Sequence, residues 1–160
     1  MSKLPTVAII GQANVGKSSL FNRLTRSRTA IVAREAGTTR DNVVGKVSYK
    51  RRNVDSTLSD DYSQFWLIDT AGLKTAEDEF EATIQDQIAD ASAAADVILV
   101  TVDSTAYPSD ADRQLAKKAL KSGKPVILIA NKADLKGSLH VDEFKRLGIK
   151  NIIKTSAEHS

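Results

Sequence analysis

Eight consecutive residues near the start of the chain, Gly11-Gln12-Ala13-Asn14-Val15-Gly16-Lys17-Ser18, have the types and spacing of a phosphate cradle. They follow the apolar run Val7-Ala8-Ile9-Ile10 and lead into Ser19-Leu20-Phe21-Asn22-Arg23-Leu24, giving the order strand, glycine turn, helix. Gly11 and Gly16 permit backbone angles that a Cβ would oppose, so successive N–H groups can converge on one anion. The helix start adds the positive end of its dipole. Lys17 can reach the β- and γ-phosphates, and the Ser18 hydroxyl suits Mg²⁺. Gly11, Asn14, Val15, Gly16, Lys17, Ser18 and Ser19 are therefore the expected triphosphate set. A glycine turn that merely precedes a helix is the plain alternative, and the flanking strand and helix weigh against it.

Three further segments bear on which triphosphate is bound. Asn131-Lys132-Ala133-Asp134 directly follows the apolar run Val126-Ile127-Leu128-Ile129-Ala130, where a buried strand surfaces. A carboxylate at Asp134 can accept from both the N1–H and the exocyclic amine of guanine. Adenine has no such donor pair on that edge, and an unpaired buried carboxylate costs several kcal/mol, roughly, so one residue can impose the preference. The Lys132 stem can lie flat on the base. Asp69-Thr70-Ala71-Gly72 follows Phe65-Trp66-Leu67-Ile68. Asp69 can support the Mg²⁺ shell, and the Gly72 N–H can bond the γ-phosphate and so register its presence. An aspartate in an ordinary strand-to-turn exit is the alternative there. Ser156-Ala157-Glu158 follows Ile152-Ile153-Lys154-Thr155, and the Ala157 N–H can donate to guanine O6.

The elements that must position these residues alternate along the chain. Strands are predicted at 6–10, 43–51, 65–69, 97–103, 126–131 and 151–155. Helices are predicted at 17–26, 79–93, 110–121 and 141–147. Apolar strands separated by helices imply an α/β fold, with a mostly parallel sheet covered on both faces. Gly11, Asp69 and Asn131 then share the carboxyl edge, where such sheets bind ligands.

The chain has 160 residues, 41% hydrophobic and 27% charged, as expected of one globular domain. It lacks cysteine, which removes disulfides and thiolate zinc sites. No apolar run approaches the roughly 20 residues that span a bilayer. A cytoplasmic location is expected, with no membrane partner. The net charge of +3 favours anionic partners mildly. His140 and His159 are isolated and are expected at the surface, and Trp66 is expected in the core.

These segments, in this order, resemble the G motifs of Ras-like P-loop GTPases. Asn14, Gly37-Thr38-Thr39-Arg40-Asp41 and Leu73 narrow the resemblance to the TrmE–Era–EngA group, and Ala71 in place of a proline favours its EngA branch. The match runs through Asn14–Leu24, Arg28–Val32, Ala94–Leu99 and Gly123–Val126, and so covers nearly the whole chain. The resemblance implies a mostly parallel sheet with one antiparallel strand and helices on both faces. It implies that 1–160 is a single G domain, an N-terminal piece of a longer two-G-domain protein without its last helix, so that one sheet face is partly uncovered. It also implies binding of GTP and GDP, and a role in assembling the large ribosomal subunit through parts absent here, with rRNA rather than DNA as the nucleic acid.

For the chemistry, the expected catalytic set is Lys17, Thr39, Gly72 and Asn14. Mg²⁺ falls to Ser18, Thr39 and Asp69, with Thr38 as the neighbouring candidate for Thr39. Leu73 stands where a Ras-type enzyme has a water-orienting glutamine and has no polar atom to replace it. Asn14 suggests compensation by K⁺: a unit charge about 4 Å from developing negative charge is worth roughly 4 kcal/mol at an effective dielectric of about 20. A local loop hydrogen bond is the alternative role for Asn14. A nucleotide sensor with negligible turnover, an Era-like member, and an ATP-using P-loop enzyme remain as alternatives. Two departures from the group stand out. Gln12-Ala13 replaces the common Arg-Pro, with both side chains expected to point outward. The polar stretch 50–64 is longer than usual and is expected to be an extended hairpin tip without an assigned role.

Overall fold

The computed structural model describes residues 4–12, 15–25, 31–34, 41–69, 88–89 and 91–156, with 31–34 and 41–43 as backbone only. The elements are β1 (Thr6–Gly11), α1 (Lys17–Thr25), β2 (Ile31–Arg34), β3 (Asp41–Arg52), β4 (Leu58–Asp69), β5 (Val97–Asp103), α2 (Asp110–Lys121), β6 (Val126–Asn131), a 3-10 helix (Val141–Leu147) and β7 (Asn151–Lys154). The strands form one seven-stranded sheet in the order β2-β3-β4-β1-β5-β6-β7. β1 pairs parallel with β4 and β5, and β5, β6 and β7 continue in parallel. Only β3 opposes its neighbours, pairing antiparallel with β2 and β4. The expected α/β architecture with one antiparallel strand is the one observed.

Successive residues of a strand point to opposite faces, and β1 supplies both cores this way. Ala8 and Ile10 pack with Ile98, Val100, Val102, Leu128 and Ala130 beneath α2 (Leu115, Ala116, Ala119) and Phe144 of the 3-10 helix. Ile9 points the other way, against Leu20 and Phe21 of α1, with Val47, Leu67 and Ile129. Each fully buried aliphatic or aromatic side chain contributes about 1.5–3 kcal/mol, so this two-sided core fixes the register of the central strands. Coverage on the α1 face thins toward β7, where Leu99 and Ile127 are half-buried and Ile153 is exposed. Helix α2 starts with a reciprocal capping box: Ser109 Oγ accepts from the Asp112 N–H, and Asp112 accepts from the Ser109 N–H. Acidic residues occupy its first turn and lysines its last, matching the dipole.

Three sequence expectations change. β2 was not foreseen, because its four residues lack any periodic signature of their own. The stretch 50–64 is mostly ladder rather than tip: pairing runs on through Tyr49↔Ser63 and Lys50↔Tyr62 to Arg52↔Leu58, with an irregularity between the last two pairs. The turn is only Asn53–Thr57, closed by the Asn53 N–H on the Thr57 carbonyl at 2.7 Å. Polar residues on both sides of these strands hid the alternation. Trp66 is half-buried rather than core; Lys46 Nζ lies 5.0 Å from its ring centroid, and Lys50 Nζ lies 5.1 Å from that of Tyr62. The predicted helix at 79–93 falls largely outside the described residues; 88–89 and 91–94 are helical, and Ala91 is in the core.

Candidate functional site

The carboxyl ends of β1, β4, β5 and β6 bring the sequence motifs to one edge. Register sets Asp69 beside Ile9, Thr101 beside Gly11 and Asn131 beside Asp103. At Gly11 an added Cβ would stand 2.7 Å from the Thr101 carbonyl oxygen, so the close approach of β1 to β5 requires glycine. Gly16 has φ +96°, in the left-handed region, and a Cβ there would stand 2.3 Å from Asn131 Nδ2. Glycine is thus demanded at position 16 by conformation and by space together. Val15 is buried, and the Leu20 N–H bonds the Gly16 carbonyl at 2.9 Å to begin α1.

Lys17 is the first residue of α1 and is buried, with Nζ donating to the Gly11 carbonyl at 2.7 Å. Burial pulls its pKa below the usual 10.5, and the charge of Asp69 partly offsets this. The ammonium is thus held at the end of β1, close enough to the buried Asp69 that ends β4 for their charges to interact. Ser18 is exposed and Ser19 half-buried on the first turn of α1.

The Asn131 segment is locked to this loop. Asn131 is buried; its Nδ2 donates to the Val15 carbonyl at 3.0 Å, and its Oδ1 accepts from Thr155 Oγ1 at 2.9 Å. One side chain thus ties the loop after β1, the end of β6 and the end of β7. Lys132 has φ +63°, a strained angle for a residue with a Cβ, and this turns the chain out of β6. Its ammonium pairs with Asp103 Oδ2 at 3.1 Å. Partial burial raises the Asp103 pKa, but hydrogen bonds from Thr105 and then Lys132 outweigh it and leave a net lowering. Ala133 N–H bonds the Thr155 carbonyl at 2.9 Å, which brings Ser156 alongside the segment. Asp134 is exposed at the rim.

Gly11, Val15, Gly16, Lys17, Ser18, Ser19, Asp69, Asn131, Lys132, Asp134 and Ser156 therefore converge on one edge of the sheet. Asn14, Thr39, Gly72, Ala157 and Glu158 lie outside the described residues. Sequence reasoning missed Thr155 and Asp103. Asp103 had a signal, since it ends an apolar strand as Asp69 and Asn131 do; Thr155 had none. The expectation that the Gln12 side chain points outward is corrected: Nε2 donates to Ser109 Oγ at 2.6 Å and to Asp112 Oδ1 at 2.7 Å. The acceptors at the start of α2 draw it in. Among the described residues no group of three or more His, Asp or Glu could hold a metal by itself, and no helix is long and apolar enough to cross a membrane. His140 is exposed, as expected.

Comparison with known proteins follows the same lines. The profile of the family "50S ribosome-binding GTPase" matches residues 6–132. GTPase Der of Porphyromonas gingivalis is 46% identical over 129 residues, which is 80% of this chain and 27% of that protein. GTPase Der of Chlamydia trachomatis serovar L2 is 42% identical over 155 residues, 96% of this chain and 29% of that protein. The chain thus spans about a third or less of these curated relatives. Among solved structures, Era of Aquifex aeolicus bound to GDP and AlF4⁻ superposes with TM-score 0.67 at 30% identity, over 98% of this chain and 52% of that one. The cytosolic domain of the T. maritima FeoB iron transporter in a GDP form gives 0.70 at 27% identity, over 99% and 58%. The family model spans most of the chain and the curated relatives are more than 40% identical over most of it, so the chain belongs to the 50S ribosome-binding GTPase family and resembles GTPase Der.

Proposed function

We propose that this chain binds GTP and GDP at the carboxyl edge of β1, β4 and β6 and hydrolyses GTP as a molecular switch. The observation that carries this reading is the Asn131 side chain. It joins the loop expected to hold phosphate to the segment expected to hold the base, which supports one ligand spanning both. The residues suit that ligand: Gly16 lets the loop pack against Asn131 in a left-handed conformation, and buried Lys17 brings a cation to the loop. Asp134 selects guanine by accepting two hydrogen bonds, Lys132 covers the base with its stem, and Ser156, Ala157 and Glu158 complete the base edge.

Ser18 and Asp69 form a hard oxygen donor set suited to Mg²⁺, with Thr39 as the third expected contributor. When bound, that metal neutralises charge developing between the β- and γ-phosphates. Lys17 and the loop amides orient the triphosphate, and the Gly72 N–H reports the γ-phosphate. Leu73 has no polar atom to orient water, and Asn14 is assigned to K⁺ in compensation. By likeness to GTPase Der, the setting is cytoplasmic large-subunit ribosome assembly, a role proposed for the longer architecture of those relatives.

Titration with GTP and ATP tests the first claim: guanine nucleotide is expected to bind and ATP to fail at equal concentration. Equal binding of both would refute it. Single-turnover hydrolysis in K⁺ and in Na⁺ tests the second, with a rate at least about tenfold higher in K⁺ and the difference abolished by Asn14→Asp. Equal rates in both salts would remove the K⁺ assignment, and no turnover in either would favour a nucleotide sensor instead.

A further inference from the structure

We propose that Gln12 is a positioning residue that fastens the entry of the phosphate loop to the start of α2, and so holds the loop ready for nucleotide. The inference rests on the nucleotide-binding reading above. The loop is held at its exit by Asn131, through the Val15 carbonyl. Its entry at Gly11 is the end of β1, and the next residue, Gln12, reaches a helix that begins about 100 positions later. Both amide protons of Nε2 are used, one on Ser109 Oγ at 2.6 Å and one on Asp112 Oδ1 at 2.7 Å.

Those two acceptors are the two halves of the α2 capping box. Ser109 Oγ already accepts from the Asp112 N–H at 3.2 Å, and Asp112 Oδ2 from the Ser109 N–H at 3.0 Å. Asp112 is buried, so its remaining oxygen needs a donor, and Gln12 supplies it. The bond to a carboxylate is charge-assisted and of the stronger kind. The loop is thus clamped from both sides of the sheet: by β6 at its exit and by α2 at its entry. A loop held at both ends beforehand loses less freedom when the anion arrives, and this lowers the cost of binding.

The side chain at position 12 must therefore donate to two acceptors at once. Arginine can do so in a fork, alanine cannot, and glutamate would set a second carboxylate against Asp112.

The test is titration of a fluorescent GDP analogue into the parent chain and three variants, beside thermal unfolding of each without nucleotide. Gln12→Ala is expected to weaken binding about fivefold to tenfold, from the loss of two hydrogen bonds. Gln12→Glu is expected to weaken it more than about tenfold, and Gln12→Arg to stay within about twofold of the parent. Rescue by arginine marks the donor role, since a purely volumetric role would not distinguish arginine from glutamate in this way. The proposal fails if all three variants bind like the parent, if Gln12→Arg falls with Gln12→Glu, or if Gln12→Ala lowers only the melting temperature. A parent chain that ignores guanine nucleotide would refute the functional reading itself, a different result from a parent that binds while the variants do not differ.

Discussion

The carboxyl edge of the parallel strands and the far end of the β3–β4 hairpin are built from the same sheet by opposite means. At the edge, the polar side chains that tie the segments together are buried: Asn131 touches Val15 and Thr155, and Lys17 reaches back to Gly11. At the hairpin, Lys46 lies over Trp66, Lys50 over Tyr62 and Tyr49 edge-on to Phe65, all as cross-strand pairs at or near the surface. The turn itself projects a fully exposed Val54. The edge is over-determined, because removing one partner leaves another buried group unsatisfied. The hairpin is a sum of small, independent pairs. A site that must hold a ligand in one geometry needs the first kind of construction.

The sharpest way to break the contrast is at Gly16. Gly16→Ala forces a side chain into a left-handed angle and against Asn131 Nδ2, and is expected to cost about 2–5 kcal/mol and abolish nucleotide binding, read by thermal unfolding and titration. Unchanged binding would mean the two loops are not locked as described. Asn131→Ala comes next. It orphans the Val15 carbonyl and the Thr155 hydroxyl, for an expected loss of about 1–3 kcal/mol in a denaturant melt.

Asp103→Asn is expected to have a smaller effect with a pH signature. The folded Asp103 pKa is lowered, so its stabilisation is present above the unfolded value of 3.8 and is lost as pH falls through the folded value. The variant should lie below the parent by roughly 0.5–1 kcal/mol at neutral pH and converge with it in acid. Parallel curves throughout would contradict the assignment. Smallest of all, Lys50→Ala at the hairpin should cost about 0.5 kcal/mol or less and leave nucleotide affinity unmoved. A large loss of affinity there would erase the distinction between the two regions.

Much of this was legible in the residues. The apolar runs ending in Gly11, Asp69 and Asn131 announced both the parallel strands and the edge where their polar ends meet, since a strand buried on both faces must be apolar along its length. The hairpin was read short, since polar alternation leaves no apolar face to mark a ladder, and Trp66 was misplaced because an aromatic beneath a lysine stem looks like core in a one-dimensional string. Asp103 ends an apolar strand just as Asp69 does, and so carries the same signal in the residues.

The chain alone thus determined which residue types follow one another: glycines where backbone must turn tightly, and a cation and a hydroxyl at a helix start. Those features are local, set by conformational freedom and dipoles within a few residues. Only the folded chain decided which distant groups share a hydrogen bond: Asn131 with Val15, Lys132 with Asp103, and Gln12 with the start of α2. Hydrogen bonds are short-ranged, and sheet register and helix packing are what bring such partners within reach.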